Sequence, residues 1–419
     1  MSESFTRALM FVKQGRYREA EPFLRQAIQS DPEDPQVFFF LATCLMHEPK
    51  NRAEALFMIN EALRLRPNRA FYHAQRANIL VLLARAKEAL REVYEARRLA
   101  PDSADSFVAE SVVKLVLGKP REAERAARQA LALDPENEAA GDSLADALRL
   151  QSKFGESEAQ IQSLLSNNAE NPWAHSSAGM LALQKGDARS AERFFLAALR
   201  IDAEHQEARD GLLHAFRARS PFYRAYLKYS FMMERLDRVG RGLFVIGLLV
   251  LLQIAKALFV GPLASLGYLL VALYLLFVLW VWVARGVGNF FLLRDPLARH
   301  ALRSGEIREA IVVGGGVLVG LSAFGTGILL KQSAIIFFGL TLIGAALPMS
   351  LVFTNRSKAG RFLFGAAGAA VYLGGFASVA LLLFPQEGVG DWAANLFGIT
   401  MLLALLTTWL GNIPSLRRA

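Results

Sequence analysis

A chain of 419 residues with 53% apolar side chains, a mean hydropathy of +0.28 and a formal charge of +9 is too apolar for a disordered protein and unusually apolar for a water-soluble one. The charge is unevenly divided: residues 1–215 carry 28 Lys/Arg against 31 Asp/Glu and residues 216–419 carry 19 against 7, so the halves contribute −3 and +12. A single cysteine, Cys44, excludes an intramolecular disulfide and a multi-thiolate metal site, and a basic excess lying between apolar stretches points to cationic loops beside a bilayer rather than to a nucleic-acid partner.

The start of the chain, Met1 to Gly15, lacks the basic segment, continuous apolar run and small-residue cleavage site of a signal peptide, so the first half is expected in the cytoplasm. A pattern repeats over that half. A small residue, a second small or apolar residue seven later and a proline or alanine five after that recur at Ala20/Ala27/Pro32, Ala55/Ala62/Pro67, Ala89/Ala96/Pro101 and Ala123/Ala130/Pro135, then at Ser157/Leu164/Ala169 and Ala191/Ala198/Ala203. The steps are 35, 34, 34, 34 and 34 residues, the length of one helix-turn-helix unit in a helical solenoid. A second series, Ala8, Ala42, Ala77, Ser111, Ala145 and Gly179, keeps the same phase upstream, and the two together place the extra residue near the Glu48-Pro49-Lys50 turn. Small side chains at a fixed phase let two antiparallel helices approach closely, and proline cannot continue a helix. Gly15, Gly118 and Gly186 fall between the two helices of their units, where a left-handed residue commonly ends the first.

The stretch Gly15-Arg-Tyr17-Arg-Glu-Ala20-Glu-Pro-Phe23-Leu24-Arg-Gln-Ala27-Ile-Gln-Ser-Asp31-Pro32 resembles a tetratricopeptide repeat (TPR), and six copies cover about residues 1–205. Residues 206–219, with Leu212, Leu213 and Phe216 apolar, resemble the solvent-facing helix that closes such a stack. The resemblance implies a right-handed superhelix whose concave groove binds protein segments, and it implies no catalysis. Members that bind chaperone tails grip a terminal carboxylate with a Lys/Asn/Arg cluster. By repeat phase the corresponding groove positions here are Phe5, Leu9, Phe40, Met46, Val81, Val108, Val112, Leu115, Met180 and Leu183, with Asn78 the one obvious match to the polar clamp. An apolar helix or extended segment is therefore the expected ligand, set against the plainer reading that several of these side chains pack between repeats. Asp142, Asp146 and Arg149 break the apolar run, either as specificity contacts or as a solvated helix face.

Six apolar stretches follow at approximately 243–260, 262–284, 311–330, 334–354, 362–384 and 393–411, none containing Asp or Glu. Each is close to the roughly 20 residues that cross a hydrocarbon core. Alternating the segments between them puts 17 Lys/Arg on one side and 1 on the other, which predicts both termini in the cytoplasm, the C-terminal one as a short tail, 412–419. Trp280, Trp282 and Trp409 would then lie at the inner interface and Trp392 at the outer. The first two spans must turn tightly at Gly261-Pro262, or form a re-entrant pair, and Lys256 is expected to snorkel to the outer end of span one. Glycines such as Gly316 and Gly320 suit close helix packing within the chain, with a homo-oligomer as the alternative use.

Between the halves, residues 217–242 read as a basic amphipathic juxtamembrane helix, with Phe222, Tyr226, Tyr229, Met233 and Leu236 on the headgroup face and Arg224, Lys228, Arg235 and Arg238 opposite. After span two, Asp295-Pro296 is expected to start a short helix and Gly305 to end it. The six histidines are scattered, the glycines 314–316 are not followed by a phosphate loop's lysine, and no catalytic constellation stands out, so no cofactor, no metal and no enzyme are expected.

The expected fold is all-α: a solenoid of about six repeats plus a capping helix over 1–216, the juxtamembrane helix over 217–242, and a polytopic bundle of six transmembrane helices over 243–411. The expected function is a membrane-anchored adaptor in a bacterial inner membrane whose groove binds protein partners and assembles a complex there. The alternative is a transporter or channel subunit regulated by its solenoid.

Overall fold

The computed structural model describes residues 3–236, 238–257, 264–355, 357–384 and 389–411, and every regular element among them is helical. They divide into two compact units: Met1–Leu181 with Ala197–Ala203 and Met233–Arg241, and Ala182–Leu196 with Glu204–Met232 and Gly242–Ala419.

The repeats are six helix pairs: α1 (Glu3–Lys13) and α2 (Tyr17–Ser30), α3 (Pro35–Met46) and α4 (Arg52–Leu65), α5 (Ala70–Leu82) and α6 (Ala86–Leu99), α7 (Ala104–Val116) and α8 (Pro120–Leu133), α9 (Glu138–Leu150) and α10 (Phe154–Asn167), α11 (Pro172–Lys185) and α12 (Ala188–Ile201). The residues that set the phase are the buried ones. Ala8, Ala20, Ala42, Ala55, Ala62, Ala77, Ala89 and Ala96 are at most 0% exposed, and larger side chains such as Leu24, Leu41, Ile59 and Val93 fill the space between turns. Two units place serine at an alanine position, and each hydroxyl finds a carbonyl on the facing helix. Ser111 Oγ donates to Ala123 O at 3.0 Å, and Ser157 Oγ donates to Ala145 O at 2.8 Å.

Between the paired helices one left-handed residue recurs: Gly15, Gly118 and Gly186, with φ of 70°, 71° and 87°, but also Ala84 at 58° and Ser152 at 65°. Repeat two solves the same turn differently. Its additional residue is absorbed in a 3₁₀ turn, Pro49–Asn51, so α4 begins at Arg52 with the phase of Ala55 undisturbed.

The second unit contains the last part of α11, the first part of α12, and α13 (Gln206–Arg217), most of α14 (Pro221–Arg235), α15 (Arg238–Ala257) from Gly242, α16 (Ala264–Leu292), α17 (Pro296–Ala301), α18 (Ser304–Glu309), a π turn (Ala310–Gly315), α19 (Gly316–Leu329), α20 (Ser333–Thr354), α21 (Lys358–Leu383) and α22 (Val389–Leu410). Five segments among the described residues are long and apolar enough to cross a membrane: Ser265–Leu292, Ser304–Leu329, Ser333–Thr354, Lys358–Leu383 and Val389–Leu410. The first of the six expected stretches corresponds to α15, and the Gly261-Pro262 turn and the Lys256 side chain lie outside what is described.

These helices pack through glycine. A Cβ on Gly320 would lie 2.8 Å from Gly339 O, and one on Gly368 would lie 2.8 Å from Met349 Sδ, so the absent side chains set the separations of α19 from α20 and α20 from α21.

Two expectations are corrected here. Residues 217–242 are not one helix: α13 ends at Arg217, α14 starts at Pro221, and α15 starts at Arg238. In α14, Phe222, Tyr226 and Tyr229 each lie 6.1 Å, centroid to centroid, from Trp280 of α16, while Tyr223, Leu227 and Phe231 are buried. After span two, Asp295 Oδ1 accepts from Ala298 N as a cap should, yet α17 ends at Ala301, and Gly305 sits in the first turn of α18 instead of ending a helix.

Candidate protein-binding face and a buried charge network

In the first unit, the residues expected to bind a partner sit at corresponding positions of the first helix of successive repeats. Phe40 is part-buried, 5.8 Å from the ring of Phe5 and 5.2 Å from that of Phe39, which in turn meets Phe71 at 5.2 Å. Val81, Val108 and Val112 are part-buried on the first helices of the next two repeats, as is Met180 on that of the sixth. Asn78 is part-buried too, and its Oδ1 accepts no hydrogen bond among the described residues. Phe5, at 1% exposure, belongs to the packing between helices. So does Leu183, which is 5% exposed and lies in the second unit.

The polar break is no ordinary solvated face. Asp142 and Asp146 are part-buried, but Arg149 is only 8% exposed; its Nε donates to Asp146 Oδ1 at 3.1 Å and its buried Nη1 has no acceptor among the described residues. Beside the valines, Gln75 Nε2 donates to Thr43 Oγ1 at 3.0 Å, a polar contact between α5 and α3 that apolar patterning does not register. His73 bridges two elements, Nδ1 to Glu92 at 2.9 Å and Nε2 to Pro67 O at 2.9 Å, and the Glu92 carboxylate raises its pKa above the usual histidine value. The lone thiol is inert as a nucleophile, since burial pushes the Cys44 pKa up to about 12.

The second unit holds a site that sequence reading missed. Helix α13 buries Leu212, Leu213 and Phe216 as expected and leaves Glu207 and Asp210 exposed, but Ala208, Gly211, Ala215 and Arg217 are buried as well, and the helix packs against α16 and α17. Arg217, with a side chain 3% exposed, donates from Nε to Asn289 Oδ1 at 2.7 Å and from Nη2 to Glu306 Oε1 at 3.4 Å. Asn289, fully buried, donates from Nδ2 to Glu309 Oε2 at 3.2 Å. Arg285 closes the group, 3.1 Å from Glu309 and 3.8 Å from Glu306. Two arginines thus face two glutamates through one amide, the paired arrangement that buried charge demands.

Around this core, Arg303 bonds Gln206 and lies 3.6 Å from Asp210, and Arg219 reaches Asp295 at 2.7 Å and Glu192 at 2.8 Å. His214 Nδ1 lies 2.9 Å from Tyr223 Oη; burial, followed by the charges of Arg217 and Arg285, pushes its pKa down to about 3, so it is neutral. A cavity of about 190 Å³ adjoins the network, walled by Phe216, Tyr223, Gly288 and Phe291 with Arg217 and Asp295 at its polar end.

Among the described residues no group of histidine, cysteine and carboxylate side chains could hold a metal ion. Two family models, both described as tetratricopeptide repeat, match residues 11–79 and 143–206. The first half of this chain is a tetratricopeptide-repeat segment. No curated protein matches the chain.

Among solved structures the TPR segment is similar to YrrB, described as a TPR protein with an unusual peptide-binding site, at 22% identity over 44% of this chain and 95% of that one, with a TM-score of 0.29. It is also similar to PilW, described as a widely conserved type IV pilus biogenesis factor (20% identity, 50% and 96% covered, TM-score 0.38), and to pilF of Pseudomonas aeruginosa (20% identity, 49% and 94% covered, TM-score 0.36). At these scores the likenesses add nothing to what the family matches establish.

Proposed function

We propose that this protein is a membrane-anchored, non-enzymatic adaptor whose TPR face binds protein partners and assembles or localises a complex at a bacterial inner membrane. The observation that carries the reading is the part-exposed apolar line Phe40, Val81, Val108 and Val112 on a TPR segment, in one chain with five helices long and apolar enough to span a bilayer. An apolar line of this kind suits the hydrophobic side of a partner helix or extended segment, with the part-buried Asn78, Asp142 and Asp146 supplying register and Arg149 holding Asp146 from beneath. The bilayer is the second partner, nucleic acid is not one, and a homo-oligomer is the remaining use of the glycine-rich helices.

Proteins captured from a bacterial lysate by the full chain and by its V108D/V112D variant give the test, after circular dichroism shows equal helicity. The variant is expected to lose at least one captured protein by about tenfold or more, the scale of one truncated interface anchor. Identical captured sets would overturn the reading.

Orientation follows from charge: both termini inside. In a Cys44→Ser background, Gln332→Cys is expected to react with an impermeant maleimide from outside and Lys358→Cys from inside only; the reverse pattern refutes this topology.

A second reading, a transporter or channel subunit regulated by the repeats, draws on the buried Glu309 and on the part-exposed Arg285 inside α16, since ionisable groups within apolar helices often serve a pathway. Flux across a panel of ions and small solutes in reconstituted liposomes tests it, and no movement of any of them counts against it.

A further inference from the structure

The network of Arg217, Arg285, Asn289, Glu306 and Glu309 draws its members from three helices and is electrically closed, two cations against two anions. Three of the five are almost wholly enclosed, with Asn289 at 0% exposure, Glu309 at 1% and Arg217 at 4%. In such surroundings, removing one partner leaves an uncompensated charge, so the position of Arg217 governs the balance at the two glutamates.

Glu309 is also the last residue before the π turn, Ala310–Gly315. A π turn carries one more residue than an α-helical turn. Annealing it to α geometry passes that residue along the helix and rotates the two flanks against each other by about one residue's worth, or 100°.

Helix α16 reads both features on one face. Arg285 and Asn289 serve the network, while Gly286, between them, lies under the π turn so closely that a Cβ on it would be 2.7 Å from Val313 Cγ1, and a Cβ on Gly314 would be 2.6 Å from Phe290 Cβ. The stem of Arg217 runs along the same helix, 3.3 Å from where a Cβ on Gly288 would be. The network and the π turn therefore share one support, and Glu309 belongs to both.

We propose that Arg217 is a coupling pin. While it is seated, Glu306 and Glu309 are balanced and the turn after Glu309 stays in π geometry. When α13 moves and withdraws it, two carboxylates face Arg285 alone, the turn relaxes towards α geometry, and α19 changes register relative to α18. A displacement of the helix that follows the sixth repeat is thereby passed into the apolar helices, and linkage requires the converse as well. This holds whether the apolar half anchors a complex or moves a solute.

Amide hydrogen exchange of the full chain in lipid nanodiscs tests it. Arg217→Met is expected to speed exchange over 310–316 by about tenfold or more, because a turn no longer held in π geometry passes between its π and α registers through open states. Adding Glu306→Gln restores neutrality, and its amide can still accept from Arg303 N as Glu306 does; the double variant is expected back within about twofold of the native rate. By reciprocity, Glu309→Gln is expected to speed exchange over 206–217 by a comparable factor. Arg219→Ala, which breaks only the exposed pairs at the same end of α13, is expected to change neither segment.

Unchanged exchange over 310–316 in Arg217→Met would overturn the proposal. So would a double variant that exchanges faster than the single one, because a side chain that merely fills space is not rescued by removing a second partner. Should Arg217→Met fail to fold, Arg217→Lys, which keeps the charge but cannot serve Asn289 and Glu306 together, is put through the same comparison.

Discussion

The two units solve one problem, bringing helices close, by different chemistry. In the repeats, alanine meets alanine at 0% exposure, and where serine intrudes at Ser111 and Ser157 its hydroxyl crosses to the facing helix. In the apolar unit the close contacts are glycine on backbone, as at Gly320 and Gly339, and the hydroxyls of Thr341, Thr354 and Ser378 turn back to carbonyls four residues earlier on their own helices. The difference is the one to be expected of repeats that fold in water and of apolar helices that span a bilayer. Water drives apolar side chains together, so a repeat needs only small residues at the crossing and large ones around it. Lipid supplies no such drive, so helices associate through close packing and keep polar groups satisfied within themselves.

Charge follows the same division. The repeats carry exposed pairs such as Arg85 with Glu88 and Arg98 with Glu95, which solvent screens, whereas in the apolar unit Glu306 and Glu309 sit in one enclosed network.

The sharpest way to break the comparison is to add one side chain to each kind of contact. Gly314→Val drives branched carbon into α16 at Gly286 and Phe290 and is expected to cost about 3 kcal/mol or more, seen as loss of a monodisperse folded species. Ser111→Ala, which removes only a hydroxyl, is expected to cost about 1 kcal/mol in urea unfolding followed by circular dichroism.

Two histidines separate the units by pH. His73, its pKa raised by Glu92, stabilises repeat three fully below the unfolded value near 6.5, and that contribution is lost as pH rises through its folded pKa. His214, pushed down to about 3, does the opposite: its neutral form costs nothing above about 6.5, and stability around α13 drains away as pH falls from there towards 3. Between pH 7.5 and 5.5, protection factors, that is exchange relative to the intrinsic rate at each pH, are expected to rise over 70–82 and fall over 206–217. His214→Asn should abolish the second change; its persistence would assign the acid sensitivity to another group.

The smallest effect concerns the turns. Ala84→Gly and Ser152→Gly relieve a left-handed backbone and are each expected to stabilise by about 1 kcal/mol, while Gly118→Ala loses a similar amount.

The repeats were legible because one alanine phase governs local helix ends and long-range packing alike, so Ala20, Ala55, Ala89 and Ala123 announce both. Exposure of the groove candidates was not legible, since repeat phase alone does not say that Arg149 and Leu183 are buried. Arg217 lies 72 positions from Asn289 and 89 from Glu306, and no periodicity joins them. A faint signal was present in composition: Glu306 and Glu309, one turn apart, are two of only 7 acids in residues 216–419 and stand beside the start of an apolar stretch. Reading Arg285 as a loop cation hid its place inside α16, because hydropathy marks where apolar residues stop and not where the helix does.

The 3₁₀ turn at Pro49–Asn51 has a practical consequence. Since it accommodates a surplus residue without displacing Ala55, the loop between α3 and α4 behaves as an expansion joint: the chain can be lengthened there without being re-indexed downstream. Lys50, exposed on that joint, is accordingly the place in the TPR segment to graft a fluorophore or a small reporter domain while every later unit keeps its alignment.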